Sequence, residues 1–194
     1  ITERLTRVPG LLTGYAIVAG FSAYFCMYFY RKAFAAGTFA DATVFGLEAK
    51  SAYIIAQVIG YAASKLLGIK VVSEIAPARR ARGILYCVAG AEASLVLFGL
   101  LPPTPAAAAM VANGFSLGMV WGMVFGFLEG RQTSDLLGAG LCASLIVASG
   151  AAKWGGRTVL EAGVSERWMP ATTGAIVAPA MLLSIFLLAQ LPPP

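Results

Sequence analysis

Four ionisable side chains fall inside stretches that are otherwise apolar: Arg31, Lys65, Glu92 and Lys153. Three are cations, and the chemistry they offer is recognition of an anion. Arginine presents a planar fork of N–H donors that matches phosphate or carboxylate oxygens, while lysine supplies a compact point charge. The chain contains no His, which excludes imidazole acid–base catalysis, histidine metal sites and His-activated Ser or Cys nucleophiles. Cys26, Cys87 and Cys142 lie far apart in apolar runs, at neither a zinc nor a disulfide spacing, and read as small core residues. Asp41 and Asp135 are the only aspartates, and no span holds a pair of carboxylates that could divide acid and base roles. No enzyme, metal or cofactor is expected.

The reason these four residues need explaining is the rest of the chain. Of 194 residues, 59% are apolar and 12% charged, about half the charge of an ordinary soluble domain. Mean hydropathy is +0.80. A soluble domain of this size cannot hide so much apolar surface, and a disordered chain would lack it. The class that remains is an all-α integral membrane protein. In hydrocarbon each ionised side chain costs about 2.5–3.5 kcal/mol on insertion scales, so each asks for a partner or a role.

A bilayer core of about 30 Å needs about 20 apolar residues per spanning helix. Six segments meet this test: Leu11–Phe34, Ala49–Val72, Gly83–Leu101, Ala106–Glu129, Leu136–Leu160 and Thr172–Leu191. They predict one six-helix transmembrane bundle over residues 1–194, with Pro102–Pro105 a tight break between the third and fourth spans. Arg79, Arg80 and Arg82, with Lys70 before them, fall between the second and third spans, in what reads as a short cytoplasmic loop. That places both ends of the chain on the cytoplasmic side, with Arg4, Arg7 and Arg131. The chain begins without a Met and stops just after the sixth span, so we expect the first half of a longer protein. The aromatics lie in apolar runs and are not interleaved with basic residues, so the net charge of +5 points to a membrane surface and not to nucleic acid.

On this frame, Arg31 lies about six residues, roughly 9 Å, inside a helix end expected near Gly37, and Lys65 and Glu92 lie roughly 12–14 Å above the inner ends of two helices adjacent in sequence. Lys65 and Glu92 are therefore expected to form a charge pair. Lys153, one turn deeper than Arg157, is a further candidate for a solute cavity. Asn113 is a neutral candidate, as able to bond a neighbouring helix as a ligand, and so is Gln57. Gly114, Gly118, Gly122, Gly126 and Gly130 recur every fourth residue and form a strip along which another helix backbone can approach closely.

Two stretches carry a resemblance. Tyr24-Phe25-Cys26-Met27-Tyr28-Phe29-Tyr30-Arg31-Lys32-Ala33-Phe34 is similar to the first helix of the organophosphate:phosphate antiporters, a branch of the major facilitator superfamily, whose aromatic run ends in Arg-Lys-x-Phe. Gly60-Tyr61-Ala62-Ala63-Ser64-Lys65-Leu66-Leu67-Gly68 resembles their second helix. The resemblance implies a major-facilitator-like N-terminal bundle, with Arg31 and Lys65 at a central site for phosphate. It departs where the superfamily has Gly-x-x-x-Asp-Arg, an inner-gate element, because Gly68-Ile69-Lys70-Val71-Val72-Ser73-Glu74 stands there. The whole chain also resembles a group of bacterial multi-pass proteins of unknown function. Together these readings predict a secondary transporter of the bacterial inner membrane, or its N-terminal half. Its solute would be a small anion, with an organic phosphate among the candidates. Its partners would be membrane lipid and a second six-helix bundle. The alternative is a transporter-like sensor or membrane scaffold that moves nothing.

Overall fold

Long apolar runs in a chain with few breakers become long helices, because only a helix satisfies its own backbone hydrogen bonds in lipid. A computed structural model describes residues 9–40, 42–128 and 134–192. Helix α1 covers Pro9–Lys32 and tightens into a 3₁₀ turn, Ala33–Ala36. A two-stranded hairpin, β1 Thr43–Val44 and β2 Leu47–Glu48, leads to α2, Ala49–Glu74. Then come α3 (Pro77–Leu100), α4 (Pro103–Gly118), the short α5 (Val120–Phe125), α6 (Ser134–Glu161) and α7 (Met169–Ala189). Among the described residues, five helical stretches are long and apolar enough to cross a membrane: Gly10–Ala36, Ala49–Glu74, Arg79–Leu100, Pro103–Phe125 and Met169–Ala189. Helix α6, at 28 residues, is longer than any of these but is not among the five. Arg4, Arg7, Glu129, Gly130 and Arg131 lie outside the described residues.

Three boundaries differ from the sequence reading, each for a local reason. The basic cluster is no loop. Pro77 opens α3, and Arg79, Arg80 and Arg82 occupy its first turns, leaving only Ile75 and Ala76 as the connection. Proline fits a first turn because the N–H it lacks has no helical partner there. Pro103 and Pro105 likewise lie in the first turn of α4, so the break shrinks to Leu101 and Pro102. The fourth span is not one continuous helix, since Met119 separates α4 from α5.

Packing uses one face of each helix. On α1 the buried residues Ala16, Ala19, Ala23, Met27 and Tyr30 recur at three- and four-residue spacing. Ile54 and Val58 of α2, and Ile146 of α6, are exposed, as a lipid-facing surface requires. The main contacts pair α2 with α4, α1 with α6, α3 with α4, α1 with α7, and α3 with α7. Helices α2 and α3 are consecutive but are held apart, each packed on α4.

The hairpin turn carries positive φ at both Phe45 (52°) and Gly46 (78°), the geometry that suits a two-residue hairpin. Phe39, also at positive φ (51°), is buried edge-on against Tyr53 and Phe98, with ring centroids 5.5 and 5.8 Å away. This aromatic trio joins the turn after α1 to α2 and α3.

Candidate anion-binding site

On α2, Gln57, Tyr61 and Lys65 follow one another at four-residue spacing and so share a face. Opposite them, the end of α1 brings Arg31. Its guanidinium carbon lies 4.0 Å from the Tyr61 ring centroid and 5.8 Å from that of Tyr28. Lys65 Nζ lies 5.2 Å from the same Tyr61 ring and 5.7 Å from the Trp121 ring. The two cations therefore converge on one aromatic side chain, where the negative face of the ring offsets part of their repulsion. Among the described residues neither has a carboxylate within salt-bridge distance. Arg31 Nε is buried without a hydrogen-bond partner.

Arg31 is fixed through its backbone. Gln57 Nε2 donates to the Arg31 carbonyl (3.0 Å) and to Asn113 Oδ1 (2.8 Å). Asn113 Nδ2 in turn donates to the carbonyls of Tyr30 (3.3 Å) and Ala91 (3.2 Å). Two side-chain amides thus tie α1, α2, α3 and α4 together beneath the guanidinium. The last carbonyls of α1 are open to such donors because the helix tightens into its 3₁₀ turn there.

The expected Lys65–Glu92 pair does not form. Lys65 is exposed beside Trp121, whereas Glu92 points at α7, with Oε2 in the space left by Gly174 and near the Tyr30 ring. The reason is topological, since α4 stands between the two helices that are adjacent in sequence. Glu92 Oε2 is buried without a hydrogen-bond partner. Asn113 also departs from the solute role. It is fully buried, and both of its donors are taken by carbonyls. Lys153 is exposed and lines a separate open cleft of about 800 Å³ at the hairpin end, with Trp154, Arg157 and Glu166. Arg31 and Lys65 are therefore the two candidates that the structure brings together.

The glycines abut α2 closely. A Cβ at Gly114 would run into the Gln57 carbonyl, and one at Gly118 would lie 2.5 Å from Ser64 Cβ and 2.8 Å from the Tyr61 carbonyl. Across the seam, a Cβ on Gly60 would strike the Val111 carbonyl. A Cβ on Gly122 would lie 3.3 Å from Val72 side-chain atoms, and one on Gly126 would lie 3.0 Å from the Arg80 guanidinium of α3. This close approach sets the depth at which Tyr61 and Lys65 are presented.

Glu166 gave no signal in the sequence, being one carboxylate in a polar connection. Its oxygens accept from the Thr38 N–H (2.6 Å), the Thr38 hydroxyl (2.8 Å) and the Phe39 N–H (2.7 Å). Partial burial would raise its pKa, but these three donors and the Lys50 charge hold it below the usual carboxylate value. Tyr61 and Trp121 were legible as aromatics but not as the platform for both cations.

No curated protein and no solved structure matches the chain. A family model described as "Family of unknown function (DUF5690)" matches residues 33–194, a stretch that holds Lys65, Glu92, Asn113 and Lys153 and starts just after Arg31. With most of its length matched, the chain belongs to this family of unknown function.

Proposed function

We propose that the protein is a secondary membrane transporter, or the N-terminal six-helix half of one, that binds a small anionic solute between Arg31 and Lys65. The observation that carries this reading is the meeting of two cations on the Tyr61 ring with, among the described residues, no carboxylate to neutralise them. Such a site is left with unbalanced positive charge in a low-dielectric setting, and an anion is what lowers its energy. Arg31 would hold two oxygens through its fork, Lys65 would add charge, and the aromatic walls would exclude water. An organic phosphate is the candidate class. The solute moves without any change in its bonds.

The architecture we propose has six spans, with α6 as the fifth, arranged as in the N-terminal bundle of the major facilitator superfamily. Supporting this, the main helix pairs keep their pattern when the first three spans are exchanged with the last three. Span two on four becomes five on one, three on four becomes six on one, and three on six maps to itself. Repeats of this kind underlie transporters that rock two bundles about a central site. The second bundle would close the site from the other side. We place it in a bacterial inner membrane with both ends of this segment cytoplasmic, an orientation that the basic first turns of α3 support.

A second reading, a sensor or scaffold with the same solute site, is favoured by the absent Asp-Arg gate element, in whose place Gly68-Ile69-Lys70-Val71-Val72-Ser73-Glu74 stands. The test is the melting temperature of the purified chain in detergent, titrated with inorganic phosphate and a panel of organic phosphates. A concentration-dependent rise that disappears in Arg31→Gln and Lys65→Gln is expected. A cooperatively melting protein with no rise for any phosphate would overturn the assignment. Solute uptake by proteoliposomes then separates transporter from sensor.

A further inference from the structure

Below the Arg31–Lys65 site a groove of about 570 Å³ runs between α2 and the α4–α5 segment. Lys65 stands at one end and Arg80 at the other, where Arg80 Nη1 donates to the Gly126 carbonyl at the end of α5. Its walls are apolar, formed by Leu66, Ile69, Val72, Met119 and Trp121. Among the described residues no carboxylate lines it. Arg80 carries five N–H donors, and its Nε is buried without a hydrogen-bond partner. From Lys65 to Ser73, the far end on α2, eight residues span about 12 Å. The groove is therefore a slot wider than a single ion, positive at both ends and apolar between.

We infer that this groove is a second station for the solute, entered from the first site through Lys65 and terminated by Arg80. This rests on the proposed anion-binding function and narrows the solute class. A bare phosphate would leave the Leu66–Ile69–Met119 wall in contact with nothing. An anion with an apolar or aromatic body places that body on the wall and on the Trp121 ring, and its charged group at Arg80. Lys65 belongs to both sites, so the anion can pass from Arg31 toward Arg80 without meeting a carboxylate among the described residues. Arg80 is the last cation along the groove.

Trp121 reports on the groove directly. The chain has three tryptophans, and Trp154 and Trp168 lie elsewhere, so Trp154→Phe with Trp168→Phe leaves a single fluorophore on the groove wall. The full chain in detergent would be titrated with 4-nitrophenyl phosphate, whose ring absorbs near tryptophan emission and quenches it. Saturable quenching is expected, poorly competed by inorganic phosphate, which has no body for the wall. Arg80→Gln should raise the half-saturating concentration about tenfold, and Arg80→Lys less. Because Arg80 also bonds the end of α5, Ile69→Phe serves as an independent variant. It narrows the groove from an exposed position and should weaken quenching in the same direction. Quenching abolished by Arg31→Gln but untouched by Arg80→Gln and Ile69→Phe would overturn the second station and leave the first site standing. No quenching together with no ligand-dependent rise in melting temperature would remove both. In nanodiscs, quenching that vanishes when phosphatidylglycerol replaces phosphatidylcholine would also overturn the inference, because the groove would then be a lipid headgroup site.

Discussion

Glu166 and Asn113 both bond backbone groups far away in the chain, one as a charged acceptor near the surface and the other as a buried neutral amide. Glu166 is held by three hydrogen bonds from Thr38 and Phe39, so it joins the turn after α1 to the connection before α7. Glu166→Gln should lower stability by about 1–2 kcal/mol, modest for charge-assisted bonds because solvent reaches the clamp. A carboxylate with a lowered folded pKa stabilises above its unfolded pKa, and that contribution is lost as pH falls through the folded value. The gap between parent and Glu166→Gln should therefore be full above pH 4.5 and close below it, read by thermal melting across pH 3–7. Asn113 belongs to packing. Asn113→Ala strands the Gln57 donor and two carbonyl acceptors, and should cost about 1–3 kcal/mol. Any phosphate-dependent rise in melting temperature should survive in Asn113→Ala, while it disappears in Arg31→Gln. A lost rise in both would return Asn113 to the solute site.

At the scale of elements, the α2–α4 seam is set by what glycine lacks. Gly60 and Gly114 each press on a backbone carbonyl of the opposing helix, and backbone cannot move aside as a side chain can. Gly114→Ala and Gly60→Ala should each destabilise by more than about 3 kcal/mol, in the range of overpacked cores. Gly122→Ala meets only Val72 side-chain atoms and should cost under about 1 kcal/mol. Gly150 on α6 has open space around a Cβ, so Gly150→Ala should be neutral or slightly stabilising through helix propensity. Melting temperatures of the four variants in one detergent give the ranking, and an equal response at Gly114 and Gly150 would refute the seam. The α3–α7 contact has the same logic. Gly174→Ala collides with Glu92 Oε2, so its cost should shrink, though not vanish, in a Glu92→Ala background, where the Tyr30 ring remains 3.1 Å away.

For the whole molecule, the pairing of helices matters more than their order. Helices α1, α2 and α3 each find major contacts among α4, α6 and α7, across the Leu101–Pro102 connection. Neither half retains the partner faces it buries in the intact chain. Pieces 1–101 and 102–194, produced together, should therefore co-purify as one complex, while either alone should be degraded or aggregate. Affinity purification through a tag on one piece checks this. A stable first half on its own would argue for two independent three-helix units. Interleaving also brings the end of α1 to the middle of α2 and α4, because α4 supplies both the glycine seam and Asn113.

The sequence by itself determined the membrane class, most of the spans to within a few residues, and the exclusion of histidine and cysteine-pair chemistry. Those follow from contiguous composition, since a bilayer imposes length and apolarity on neighbouring residues along the chain. It also marked Arg31 and Lys65, because charge in hydrocarbon is costly wherever the helix turns. What it left open was rotation and neighbourhood. A helix apolar on all sides does not reveal which face is buried, and chain adjacency suggested a Lys65–Glu92 pair that α4 in fact keeps apart. Proline at the start of a helix reads in sequence like proline in a loop, so the basic turns of α3 passed for a connection. The shared Tyr61 ring, the Gln57–Asn113 lock and the Glu166 clamp depend on residues 26 to 128 positions apart. Only the packing of glycine faces against backbone, which fixes how each helix is rotated and how deep it lies, could bring them together.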